Sequence, residues 1–135
     1  MVSKSSTTKR MKDISSIERE LSSIGKDSYT LSYIEGVVRN GSDTLGFPGG
    51  VMEGGYLKGE DLSDVACYVL ELSGGKCPHD YSGDAHMLFT SNCGGCHGND
   101  GKGLNGSYPN LTRRPLLGIE KRKERLERDI SSLKR

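Results

Sequence analysis

Residues 85–103 read AHMLFTSNCGGCHGNDGKG, and at their centre Cys93, Cys96 and His97 form a Cys-Gly-Gly-Cys-His motif. Two thiols three positions apart can each bond one vinyl group on the same edge of a porphyrin. An imidazole directly after the second thiol then lies beneath the ring, within reach of the iron. Gly94 and Gly95 let the backbone turn tightly between the thiols. Three other chemistries use paired cysteines. A thiol redox site expects a thioredoxin-like strand and helix around it, and no such pattern is visible. A zinc site needs four ligands, which Cys77, His79, Cys93 and Cys96 would supply, with His97 as a substitute. A structural disulfide is the third. The motif favours one covalent haem c, attached through Cys93 and Cys96, with His97 on the iron.

The composition around the motif suits such a group. Of 135 residues only 33% are hydrophobic, with two Phe, no Trp and 19 Gly, so the chain can bury only a thin apolar core. Small domains of this kind usually need a disulfide, a metal or a cofactor to complete the core, and a flat apolar macrocycle would serve. Charge is unevenly spread. Residues 1–26 hold six Lys/Arg against three Asp/Glu, residues 27–112 four against eleven, and residues 113–135 nine against four. An acidic body between two basic ends can steer association with a basic partner, although a merely solvated surface explains the same charges. No apolar run is long enough to span a bilayer, and the polar, basic N-terminus does not read as a secretory signal. Nothing points to nucleic acid.

Apolar periodicity predicts an all-α chain. Ile14, Ile17, Leu21 and Ile24 mark a helix over Met11–Ser23 that Gly25 ends. Leu31, Ile34, Val37 and Val38 mark a second over 29–39, stopped by Asn40-Gly41. Residues 41–59, with Pro48 and Met52, read as loop. The clearest helix runs from Glu60 to Leu72, with Leu62, Val65, Ala66, Val69, Leu70 and Leu72 on one broad apolar face and acidic residues in its first turn. Gly74–Gly83 is a linker. A fourth helix starts near Ser82 or Gly83 and delivers the cysteines, and 98–115 is loop. The charged stretch Leu116–Arg135 is a helix with a narrow stripe at Leu126, Ile130 and Leu133.

The run from Ala85 to Gly103 resembles the haem-binding entry of class I cytochromes c, where a first helix delivers the motif and a glycine-rich loop follows. Tyr108-Pro109-Asn110-Leu111-Thr112 is similar to the family's loop beyond the histidine, which implies that the Pro109 carbonyl orients the His97 imidazole. Tyr33 to Ser73 resembles the other half of that family. Phe47-Pro48-Gly49-Gly50-Val51-Met52 looks like the loop bearing a methionine ligand, and Ala66-Cys67-Tyr68-Val69 looks like part of the final helix. The resemblance implies a small cytochrome c-like helical domain wrapped around haem, with a charged C-terminal helix appended. Met52 would be the second iron ligand, a soft neutral thioether that raises the potential. His79, His86 and Met87 are reserve ligands, each more simply an exposed or linker side chain.

The order of these pieces is reversed, because Met52 precedes Cys93 and neither Met nor His follows His97. The chain divides into a polar segment with a short helix (1–28), the methionine-loop half (29–74), a linker (75–82), the cysteine-motif half (83–115) and the charged tail (116–135). Either one domain is circularly permuted through the linker, or the chain crosses the junction of two tandem haem domains. The second arrangement resembles the dihaem subunit of cbb-type haem-copper oxidases. Both imply an electron carrier rather than an enzyme, in a respiratory chain and associated with a terminal oxidase. Its partners would be redox proteins or membrane oxidase subunits, and haem attachment implies the periplasm. The alternatives are a zinc- or disulfide-stabilised binding module and a sensor or enzyme with an open iron site. Cys67 reads as a small buried hydrophobe, and spacing alone does not establish a Cys67–Cys77 disulfide.

Overall fold

The computed structural model describes residues 4–42, 50 and 52–135. They form α1 (Lys4–Ser23), α2 (Asp27–Asn40), β1 (Gly41–Ser42), β2 (Met52–Glu53), α3 (Gly59–Leu72), α4 (Ala85–Asn92), α5 (Gly94–His97) and α6 (Leu117–Leu133). The small all-α fold expected from the sequence is what these residues adopt, with one short antiparallel pairing of β1 and β2 added.

Helix α3 is the centre of the core. Leu62, Val65, Ala66, Val69 and Leu70 repeat at three- and four-residue spacing and are all buried, so one stripe of the helix faces inward. Each large apolar side chain withdrawn from water contributes roughly 1.5–3 kcal/mol, which makes this stripe the main driving force. It packs between α2, which buries Leu31, Ile34 and Val38, and α4, which buries Ala85 and Phe89. The helix ends where the Ser73 hydroxyl donates to the Leu70 carbonyl at 2.7 Å and the Gly75 amide donates to the same carbonyl at 3.0 Å. A side chain at Gly75 would strike Leu70 and the Asp27 carboxylate. Arg114 ties this corner together. It pairs with Asp27 at 3.0 Å and donates to the Gly25 carbonyl at 2.9 Å, while the Lys76 amide donates to Asp27 at 3.2 Å.

Helices α1 and α6 pack together to one side, joined by Arg122, which grips both carboxylate oxygens of Glu20 at 2.8 and 3.0 Å. No described side chain of α1 is fully buried. The helix nonetheless begins at Lys4, well before the expected Met11. Its periodicity marks only the part that α6 covers, and the polar residues before it contain no Gly or Pro to stop the helix. Helix α4 starts at Ala85 rather than at Ser82 or Gly83, because the Ser82 hydroxyl accepts the Asp84 amide at 3.1 Å and holds a turn there. In α6, Ile119 and Leu126 are the buried residues, and Ile130 and Leu133 are half-buried.

Candidate functional site

The cysteine motif sits on a single helical turn. The Cys93 amide donates to the Phe89 carbonyl at 2.7 Å, carrying the α4 ladder forward. The Cys96 and His97 amides donate to the Cys93 carbonyl at 3.1 and 2.8 Å. Cys93, Cys96 and His97 thus occupy positions i, i+3 and i+4, which fall on one face of a helix. Gly98, with a φ of 79°, turns the chain away.

The loop that follows is folded back on the histidine by backbone hydrogen bonds. The Gly103 amide donates to the His97 carbonyl at 2.8 Å, Tyr108 to Gly103 at 3.0 Å, and Leu111 to Gly101 at 2.7 Å. Gly103 has a φ of 91°, and any Cβ there would strike the Tyr108 carbonyl, so the close approach requires glycine. These bonds place the Pro109 carbonyl 3.1 Å from His97 Nδ1. A carbonyl only accepts, so Nδ1 carries the proton and Nε2 keeps its lone pair. Burial pushes the His97 pKa down, and the Pro109 contact only partly offsets this, so the ring is held neutral.

Cys93 is half-buried, Cys96 is exposed, and both are free thiols. Burial first, and the neighbouring Cys96 second, push the Cys93 pKa up to about 11. At neutral pH such a thiol is almost wholly protonated, the opposite of the activated thiolate that disulfide exchange requires.

Met52 reaches the same region by a different route. A Cβ on Gly41 would collide with the Met52 and Gly54 backbone and one on Gly54 with that of Arg39, Asn40 and Gly41, so both glycines are needed for β2 to fold against the end of α2. Gly55 completes the corner by donating to the Val38 carbonyl at 3.2 Å. Of the methionine loop, Phe47, Pro48, Gly49 and Val51 lie outside the described residues.

Met52, Cys93, Cys96, His97 and Pro109 all line one cavity of about 580 Å³. Its remaining wall is largely apolar, built by Tyr33, Ile34, Val37 and Val38 of α2, Val65 and Val69 of α3, Phe89 of α4 and the first turn of α6. The size lies within the roughly 300–1,000 Å³ typical of cofactor and small-molecule sites. His86 and Met87 are exposed and do not line it, and His86 instead sits edge-on to Tyr68 at 5.7 Å. The four-ligand set of Cys77, His79, Cys93 and Cys96 is not assembled. Among the described residues the metal-ligand cluster is Cys67, Cys77 and His79, with Cys67 and Cys77 joined by a disulfide.

Sequence reasoning missed Leu116, Leu117 and Gly118 as cavity wall. Gly118 abuts the Tyr33 ring so closely that a Cβ would overlap its hydroxyl. The available signal was a Leu-Leu-Gly run directly after Pro115, which is a poor match to a solvated tail.

The arrangement is that of a small helical domain presenting a Cys-x-x-Cys-His turn to an apolar cavity. A 59-residue stretch, 43% of the chain, is 39% identical to the Cbb3-type cytochrome c oxidase subunit CcoP of Cereibacter sphaeroides. The match spans 20% of that relative's length. No protein-family profile and no solved structure matches the chain.

Proposed function

We propose that this chain is a c-type cytochrome domain that transfers electrons in a respiratory chain, associated with a terminal oxidase and facing the periplasm. One haem would be held by thioether bonds to Cys93 and Cys96, with His97 and Met52 as donors to its iron. The observation that carries the reading is the convergence of all four on one apolar cavity, with the His97 proton already committed to the Pro109 carbonyl. The local similarity to an oxidase cytochrome subunit supports it independently.

The donor set fits the group. A neutral imidazole fixed through Nδ1 presents a lone pair at Nε2, and a thioether is a soft second donor. When bound, the haem supplies one-electron iron redox chemistry. The protein's own residues do the rest. The α2 and α3 side chains exclude water, which favours the less charged state of a centre and raises its potential. The loop hydrogen bonds hold the imidazole in one tautomer and orientation. Cys93 and Cys96 would hold the group, and the exposed Cys96 would leave that attachment open to a partner's approach.

Met52 shares the cavity with His97 although it precedes the motif, which favours one circularly permuted domain over the junction of two. The packing of α3 against both α2 and α4 supports the same choice.

The test is expression in a compartment competent for haem attachment. The denatured protein is expected to carry one haem by intact mass. The reduced protein is expected to be low-spin and to resist carbon monoxide, while Met52→Ala binds it rapidly. A pale product with free Cys93 and Cys96 thiols would overturn the cytochrome reading. Rapid carbon monoxide binding that Met52→Ala leaves unchanged would overturn Met52 ligation alone.

A further inference from the structure

Helical pitch turns Cys67 about 200° away from Val65 and from Val69, the two α3 residues that line the cavity. Cys67 is fully buried on that opposite side and is joined to Cys77 in the linker. Two residues on, the exposed His79 lays its ring against the pair. Its Nε2 is 3.7 Å from the Cys67 sulfur and 3.9 Å from the Cys77 sulfur, and its Nδ1 is 4.0 and 3.9 Å away. Nδ1 also lies 3.0 Å from the Asp80 carbonyl. Because the carbonyl only accepts, Nδ1 holds the proton and Nε2 has a free lone pair, the arrangement in which metal-binding histidines are usually fixed.

We infer that Cys67, Cys77 and His79 form a redox-gated site for a thiophilic d10 cation, zinc(II) or copper(I), separate from the cavity and independent of any haem. In the disulfide state the sulfurs have no electron pairs to give as thiolates, and the site is closed. A dithiol reductant opens it by giving two electrons and two protons to the sulfur–sulfur bond and becoming a disulfide itself. Each freed thiol then releases its proton to solvent, and the two thiolates and Nε2 of His79 each donate an electron pair to the cation. Zinc–sulfur bonds of about 2.3 Å and zinc–nitrogen bonds of about 2.0 Å put tetrahedral ligands roughly 3.5–3.7 Å apart, so the imidazole already stands near its ligand position. The sulfurs must separate and the ring must turn to aim Nε2 between them, since both ring nitrogens now stand at nearly equal distances from the two sulfurs. Cys67 is anchored in α3, while Cys77 lies in a linker without regular structure and is the one that moves. The exposed side of His79 leaves a fourth position to water. Thiolate and imidazole donors select zinc or copper(I) over magnesium or calcium. Disulfide and cation close the same short loop, so the linker stays clipped to α3 in either state.

Zinc binding by the matured protein, measured by calorimetry and native mass spectrometry with and without prior phosphine reduction, tests this. One zinc per reduced chain and none on the oxidised protein is expected, with affinity falling at least about 100-fold in His79→Ala, since even outer-shell partners are worth 10–100-fold. Cobalt(II) in the reduced protein should give a thiolate-to-metal band that Cys77→Ser abolishes. Equal binding by oxidised and reduced protein would refute the gating. Stoichiometric binding that survives both His79→Ala and Cys77→Ser would place the cation elsewhere and refute the site. No zinc-bound mass and no heat of zinc binding after reduction would refute it outright.

Discussion

Gly103 and Gly106 make a controlled pair, because both have strongly positive φ, 91° and 94°, yet differ in surroundings. A Cβ at Gly106 meets nothing within 4 Å, whereas one at Gly103 strikes the Tyr108 carbonyl. Alanine at either position incurs left-handed backbone strain of about 1–2 kcal/mol. At Gly103 the loop must also shift, which puts three bonds at risk: Gly103 to His97 at 2.8 Å, Tyr108 to Gly103 at 3.0 Å, and His97 Nδ1 to Pro109 at 3.1 Å. At a net 0.5–1.5 kcal/mol each, losing two of them adds about 1–3 kcal/mol. Gly103→Ala is therefore expected to unfold at a urea midpoint about 1 M below that of Gly106→Ala, for a slope of 1–3 kcal/mol per molar. Nitrogen NMR of the His97 ring should show the Nδ1 proton losing its fixed partner in Gly103→Ala only. Equal midpoints for the two variants, with an unaltered His97 ring, would refute the claim that this glycine positions the histidine through Pro109.

Ile119, at 1% exposure, is integral to the core, so Ile119→Ala should cost about 2–5 kcal/mol by chemical denaturation, whereas exposed Lys123→Ala should stay within about 0.5 kcal/mol. A loss below about 0.5 kcal/mol for Ile119→Ala would show that α6 is a detachable tail. The Arg122 hydrogen bond holds the Glu20 carboxyl below its ordinary value of 4.5, with burial opposing and Tyr29 assisting. The stabilisation from a depressed carboxylate is present above the unfolded pKa and is lost as pH falls through the lower folded one. Arg122→Gln is thus expected to cost about 0.5–1 kcal/mol at pH 7, and the gap to the parent should close below about pH 4. A gap that persists in strong acid would mean that Arg122 acts through packing instead.

What could be read from the sequence follows from how each element is held. Helix α3 was legible because one residue pattern sets both its period and its burial. The extent of α1 was not, since a helix leaning on a single neighbour shows periodicity only where it is covered. The strand pair was invisible because two-residue strands carry no alternation, and its existence depends on backbone clearance at Gly41 and Gly54. The motif residues were identifiable from local spacing, since one turn of helix suffices to gather Cys93, Cys96 and His97. The fourth wall was not, because the Leu116-Leu117-Gly118 run marks an apolar start to α6 but not the approach of Gly118 to Tyr33 of α2, which is tertiary packing. For the same reason, Cys67 and Cys77 could be weighed as a pair from sequence, but His79 beside them could not.

The charged tail has a physical explanation on the reading proposed above. A chain this poor in large apolar residues cannot enclose a cofactor with two halves alone, so a cavity walled by α2, α3 and α4 stays open on one side. The start of α6 closes it, and only a glycine at 118 lets that helix approach Tyr33 closely enough. Among the described residues, α6 joins the core through Leu116 and Ile119 at its start and packs along α1 beyond that, so most of its remaining surface is free to be basic, as is that of α1. The basic residues therefore collect on an arm beside an acidic body. The polarity suits a carrier that must orient on a charged partner before transferring an electron, since complementary fields raise encounter rates without requiring a large or permanent interface.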